Sequence, residues 1–203
     1  MALKLASGLT LYVARHGETY ANVEKRFQGH SADTPLTDRG IKQTRTIAHI
    51  LKAHAGHPER LRFVASPLPR ARMSMELIRA HLRLAPYEFS VEPRITEIDL
   101  GTWDGLTHKQ ARALDPDFYE KRENDKWHYR TPGGESYADV AGRAERWVKS
   151  IRRDTFAISH GAFTRILRGL FLGLNARQMS ALDEPQGVVF RVRGSKVKRL
   201  DRS

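Results

Sequence analysis

The chain has 203 residues, no cysteine, and 35 Lys+Arg against 23 Asp+Glu, a formal net charge of +12. Disulfides and thiolate metal sites are excluded, and the nine histidines show no compact ligand spacing such as His-Glu-x-x-His, so neither a metal nor a cofactor is expected. With 40% hydrophobic residues, no linker, repeat or low-complexity tract, no signal-peptide h-region and no run of about 18 apolar residues, the composition predicts one domain over residues 1–203 in a soluble, cytoplasmic protein.

In chain order, β-forming runs at 9–14, 61–65, 88–92, 155–159 and 187–193 alternate with helical patterns at 37–53, 69–84, 107–114, 136–153 and 161–173. This alternation predicts an α/β fold with a mostly parallel central sheet flanked by helices. The first helix carries Ile41, Thr44, Ala48 and Leu51 on one face. The fourth has an amphipathic stripe of Tyr137, Val140, Ala144, Trp147, Val148 and Ile151, opened by Ser136 as N-cap with Asp139 behind it. The fifth is apolar nearly all round, which predicts burial, and its start after His160 would aim free backbone N–H groups at an anion.

Two of these strands end on a histidine. Arg15-His16-Gly17-Glu18-Thr19 follows the first and Ser159-His160-Gly161 follows the fourth, and ligands of open α/β sheets bind at such strand ends. An imidazole is partly neutral near pH 7 and can attack phosphorus. Arg15 offers a planar fork for phosphate oxygens, and Gly17 suits a turn with positive φ close to a ligand. Taken singly, His16 and His160 also read as core histidines bonded to carbonyls, and Arg70 as a solvated first-turn arginine.

Further segments extend the pattern. Arg15 to Asn22, Leu36-Thr37-Asp38-Arg39-Gly40, Ser66-Pro67-Leu68-Pro69-Arg70-Ala71, Glu97 to Gly105, Pro132-Gly133-Gly134-Glu135-Ser136 and His160-Gly161 occur in that order. In this the chain resembles the histidine phosphatase superfamily, also called phosphoglycerate mutase-like, over about residues 9 to 175. The resemblance implies that His16 is a nucleophile forming phosphohistidine, that Arg15, Arg70 and His160 surround the phosphoryl group with Asn22 beside them, and that Glu97 is the proton donor. It also places Gln28 in the pocket lining, with His30 as a weaker candidate. Phosphoryl transfer asks for these types: fixed cations stabilise the equatorial oxygens, and a carboxylic acid protonates the leaving alkoxide.

The resemblance further implies a small cap at about 106–135. There Lys121, Arg122, His128 and Arg130 could bind a second anionic group, and Trp127 or Trp103 could stack on a ring. Two departures stand out. Arg72-Met73-Ser74-Met75 replaces the frequent x-Gln-Thr-Ala, and the interval from Glu97 to His160 is shorter than in glycolytic mutases. The expected activity is therefore metal-independent hydrolysis of a small phosphorylated metabolite, with mutase-type transfer as the alternative. The basic runs at 143–153 and 191–202 leave a nucleic-acid-binding alternative, but no aromatic-basic motif accompanies them, so nucleic acid is not the expected partner. A catalytically dead scaffold would lack His16 or Glu97, and neither is lost. A homo-oligomer is compatible with the chain.

Overall fold

The computed structural model describes residues 2–31 and 33–202. Strand β1 (Leu11–Arg15) leads into helices α1 (Tyr20–Val23) and α2 (Asp38–His54), and β2 (Arg62–Ala65) into α3 (Pro69–His81), followed by β3 (Ser90–Val91). Next come α4 (His108–Leu114), α5 (Pro116–Asn124), α6 (Tyr137–Lys149), β4 (Thr155–Ser159), α7 (Gly161–Leu172) and α8 (Ala176–Ser180). A hairpin of β5 (Val189–Arg193) and β6 (Lys196–Leu200) closes the chain.

The strands form one sheet in the order β3-β2-β4-β1-β5-β6. The first four run parallel, while β5 is antiparallel to β1 and β6 to β5, so the sheet is mixed but mostly parallel. Alternation along the strands divides the core between two faces. Leu11, Val13, Val64, Ala157 and Val192 pack with Val140, Ala144, Phe163 and Ile166 of α6 and α7. On the other face Tyr12, Ala14, Phe63, Phe156 and Ile158 pack with Ile47, Leu51, Met75 and Ile78 of α2 and α3. Among the described residues, no helix is long and apolar enough to cross a membrane.

Several expectations are corrected. Ile41 is exposed, and Ile47 and Ile50 supply the buried face of α2 in its place. Helix α3 stops at His81, three residues early, because Arg83 turns left-handed at φ 62° and its N–H closes onto Ala80 O. The 88–92 run contributes only two paired residues, both exposed. Helices α1, α5 and α8 are not predicted by the sequence, and the basic C-terminal run forms two strands, with β6 separate from β5. The α8 cap is a reciprocal bond between Asn175 and Gln178, readable as N-x-x-Q, but the helix is only five residues long.

Candidate active site

The register of β1 on β4 places Arg15 opposite Ser159, so His16 and His160 are the next residues beyond two adjacent strand ends. His16 N–H extends the ladder by donating to Ser159 O at 2.9 Å, and the two rings lie 5.2 Å apart between centroids. That is close to the spacing of neighbouring strands. One strand further, β2 ends at Ala65, and the next residue, Ser66, reaches His160 Nε2 with its hydroxyl at 2.7 Å. Parallel pairing thus delivers three polar side chains to one sheet edge.

His16 Nδ1 donates to Gly17 O at 2.7 Å, which fixes the proton there and leaves Nε2 with its lone pair. Burial, then Arg70, then Arg15 hold its pKa well below the ordinary histidine range, against the raising effect of Gly17 O. His160 is depressed likewise, by burial first and then by Arg70, His16, Arg15 and Arg143. Both rings are therefore neutral near pH 7.

Gly17 is required for a reason other than positive φ, which it does not adopt. A Cβ there would meet Gly40 O at 2.5 Å, and a Cβ on Gly40 would strike Glu18 O. The glycines of two motifs face each other where α2 begins, so the loop behind His16 packs backbone to backbone on the helix start. Ser74 Oγ accepts from Gly17 N–H at 3.0 Å and donates to Arg70 O at 2.7 Å. At the position where the family often has threonine, this chain keeps a hydroxyl that ties the histidine loop to the arginine helix.

Arg70 is buried, which removes the solvated reading. Its Nη1 pairs with Asp33 at 3.1 Å, and Nη2 donates to Gln28 O at 3.1 Å and Gly29 O at 2.9 Å. Arg15 Nη1 donates to Glu184 O at 2.8 Å. In both arginines Nε is buried without a partner, and so are Arg122 Nε, Arg165 Nε and His160 Nδ1.

Glu97 has its carboxylate on the start of α7. Oε1 accepts from Ile98 N at 2.9 Å and Phe163 N at 3.1 Å, and Oε2 from Ala162 N at 3.2 Å. The N–H groups expected to face a bound anion thus hold this side chain instead. Burial and the Glu184 carboxylate push the Glu97 pKa up, opposed by Ile98 N–H, Arg70 and Arg15. Its backbone is anchored by Arg143, which donates to Thr96 O at 2.6 Å, Glu97 O at 2.8 Å and both oxygens of Glu135 at 3.0 Å.

A cleft of about 270 Å³ opens in front of these groups. Its wall includes Arg15, His16, Asn22, Gln28 and Glu97, whereas Arg70 and His160 are buried and do not line it. Asn22 closes a reciprocal cap with Thr19, and its Oδ1 also accepts from Gln186 at 3.0 Å. Gln28 Oε1 accepts from the Thr19 hydroxyl at 2.9 Å, which gives Thr19 a duty not evident from its place in the motif. His30 does not line the cleft; its Nε2–H donates to Glu97 O at 2.7 Å.

The outer wall differs from the expected cap residues. Of Lys121, Arg122, His128 and Arg130, only Arg122 reaches the cleft; Lys121 is exposed, His128 pairs with Asp125 and Arg130 with Asp139. Lys126, Arg26, His108 and Arg165 join Arg122 instead. Trp103 is buried, stacked on Tyr119 with the Arg122 guanidinium 5.5 Å from its ring, so it buttresses Arg122 and offers no face to a ligand. Trp127 is half-buried against the core. Arg165, Glu184 and Gln186 went unrecognised because nothing local in the sequence marks them. Arg165 lies five residues beyond His160, more than one turn into an apolar helix.

Two neutral histidines at adjacent strand ends, one of them in the wall of an arginine-lined cleft, define a phosphatase-like class of α/β protein. The chain belongs to the histidine phosphatase superfamily (branch 1), whose model it matches over residues 11–197. It is 28% identical over 196 residues to fructose-2,6-bisphosphatase of Saccharomyces cerevisiae, covering 94% of this chain and 41% of that protein. To 6-phosphofructo-2-kinase/fructose-2,6-bisphosphatase 3 of Rattus norvegicus it is 32% identical over 185 residues, covering 90% and 31%. It therefore spans well under half the length of these relatives. Among solved structures it is similar to the alpha-ribazole phosphatase of Shigella flexneri, with TM-score 0.80, 26% identity and 96% of each chain covered. A mycobacterial glucosyl-3-phosphoglycerate phosphatase superposes with TM-score 0.74 at 28% identity, covering 96% and 98%.

Proposed function

We propose that the protein is a metal-independent phosphomonoesterase acting on a small phosphorylated metabolite through a phosphohistidine at His16. The observation that carries this reading is the set of buried, unpartnered nitrogens on arginines that line the cleft with His16, namely Arg15 Nε, Arg122 Nε and Arg165 Nε, with Arg70 Nε and His160 Nδ1 on buried residues of the same motifs, and a free Nε2 on His16 itself. Unsatisfied buried donors are costly. An anion with several acceptor oxygens satisfies them together.

His16 Nε2 attacks phosphorus, the bond from phosphorus to the substrate oxygen breaks, and Glu97 gives its proton to the departing alkoxide. Water then attacks the phosphohistidine, Glu97 takes the water's proton, orthophosphate leaves and the His16 lone pair is restored. Arg15, Arg70 and His160 hold the phosphoryl oxygens throughout. Asn22 and Gln28 border the same site, and Arg26, Arg122, Lys126 and Arg165 contact the remainder of the substrate. The fructose-2,6-bisphosphatase, alpha-ribazole phosphatase and glucosyl-3-phosphoglycerate phosphatase that the chain resembles support a small metabolite as substrate.

The test is hydrolysis of p-nitrophenyl phosphate in excess chelator. Turnover that persists, falls by at least about 10³-fold in His16→Ala, and is accompanied by an acid-labile, base-stable phosphoenzyme in the wild type supports the reading. Absent hydrolysis, with phosphoryl transfer between phosphoglycerate isomers, would favour the mutase alternative.

A further inference from the structure

Only two acids, Glu97 and Glu184, appear among the described residues lining the cleft. The acids that pair with Arg26, Arg122 and Lys126 are Glu24 and Glu123, both outside its wall. Glu184 instead lies between the reacting end and the outer end. Its Oε1 is 3.1 Å from Arg165 Nη2, its Oε2 is 3.8 Å from Arg15 Nη1, and its carbonyl accepts from the same Arg15 nitrogen. It covers Gly161, where a Cβ would meet Oε2 at 2.5 Å, so the chain leaves room for this carboxylate beside His160. Its charge is already felt across the cleft, since it helps push the Glu97 carboxyl up.

We propose that Glu184 is a specificity-determining residue, whose carboxylate between Arg15 and Arg165 favours substrates with a neutral, hydroxyl-bearing remote group over those with a second phosphate. The proposal rests on the phosphatase reading above. A second phosphate drawn to Arg165 would lie against a carboxylate bonded to the same guanidinium, in a partly desolvated cleft where like charges repel strongly. Hydroxyl groups meet no such repulsion, and they donate to a carboxylate. Specificity here is a difference in affinity produced by a repulsive element.

The experiment is calorimetric binding of propane-1,3-diol monophosphate and bisphosphate to wild type, Glu184→Gln and Glu184→Ala, with thermal melting to verify folding. In wild type the bisphosphate is expected to bind no tighter than the monophosphate. In Glu184→Gln both probes should tighten, because the lost charge also faces Arg15, and the bisphosphate should gain about ten-fold more than the monophosphate. Shifts of equal size for both probes, or no shift in either variant, overturn the role of Glu184 and leave the phosphatase reading standing. Should wild type bind neither probe and hydrolyse no aryl phosphate, that reading falls and this one with it.

Discussion

The Glu97 carboxyl is pushed up by burial and by Glu184, and the His16 imidazole is pushed down by burial, Arg70 and Arg15. The working state of the proposed reaction needs Glu97 protonated and His16 neutral. A raised carboxyl keeps its proton above the ordinary value of about 4.3, and a depressed imidazole stays neutral below about 6.5. Turnover of alkyl phosphates should therefore peak on the acid side of neutrality, falling toward alkali as Glu97 loses its proton and toward acid as His16 gains one. Glu97→Gln is expected to lower kcat/KM for alkyl phosphates by about 10²–10⁴-fold and to remove the alkaline limb, with a smaller loss for aryl phosphates. An alkaline limb that survives the substitution assigns the proton to another group. At this scale the histidines, Arg15, Arg70 and Asn22 were legible because each lies in a short motif at a strand or helix end, Glu97 through its place in an ordered set of motifs, and Gln28 only through the family resemblance. Glu184 and Gln186 were not, since they meet the site only after β5 folds back beside β1.

Helix α6 was read from its apolar stripe, and all six stripe residues are buried. Its opposite face was read as a basic run, yet Arg143 is turned inward, serving three carbonyls and the Glu135 carboxylate. Periodicity reports which residues avoid water; it does not distinguish an arginine in solvent from one satisfying buried carbonyls. Arg143→Met should cost about 3–5 kcal/mol, because it strands a paired carboxylate as well as the carbonyls. Urea denaturation measures that loss. Because the same contacts hold the loop carrying Glu97, the variant's residual kcat should fall more for alkyl than for aryl phosphates; equal losses would limit Arg143 to stability. Strand β6 was not separated from its neighbour for a related reason: Arg191 to Arg202 reads as one basic run, and the Gly194 turn, at φ 58°, divides it into two paired strands. Its lysines suit an edge position, where charge discourages strand addition. They also lie opposite like charges, Lys198 facing Arg191 and Lys196 facing Arg193. Lys198→Glu should therefore stabilise the protein by about 0.2–1 kcal/mol at low salt, with the gain shrinking as salt is added. Urea titrations at two ionic strengths would check it, and an unchanged midpoint at low salt would count against cross-strand repulsion.

Over the whole molecule, a net charge of +12 and an arginine-lined cleft work in the same direction, since both attract anions. The sheet order that creates the cleft was only partly readable, because strand alternation predicts parallel pairing but not which strands become neighbours. Placing β1 between β4 and β5 brings the two histidines together. That arrangement has a thermodynamic consequence. His16 and His160 both have folded pKa values below their unfolded value of about 6.5, so below that pH the unfolded chain binds more protons. Their contribution is present above about pH 6.5 and is lost as pH falls toward the folded values, by up to about 1.4 kcal/mol per pH unit for each ring. Glu97 works oppositely: its raised pKa contributes stability below about pH 4.3, lost as pH rises through the folded value. Between pH 7 and 5 the depressed histidines, which also include His81 and His108, outnumber the one raised buried carboxyl, so the melting temperature of the ligand-free protein should drop as the solution is acidified. Orthophosphate should reverse much of that drop, because a bound anion pairs with the imidazolium forms and links their protonation to binding. In His16→Asn the acid-side slope should be shallower than in wild type, and a slope equal to wild type would mean that His16 does not stay neutral in the folded protein.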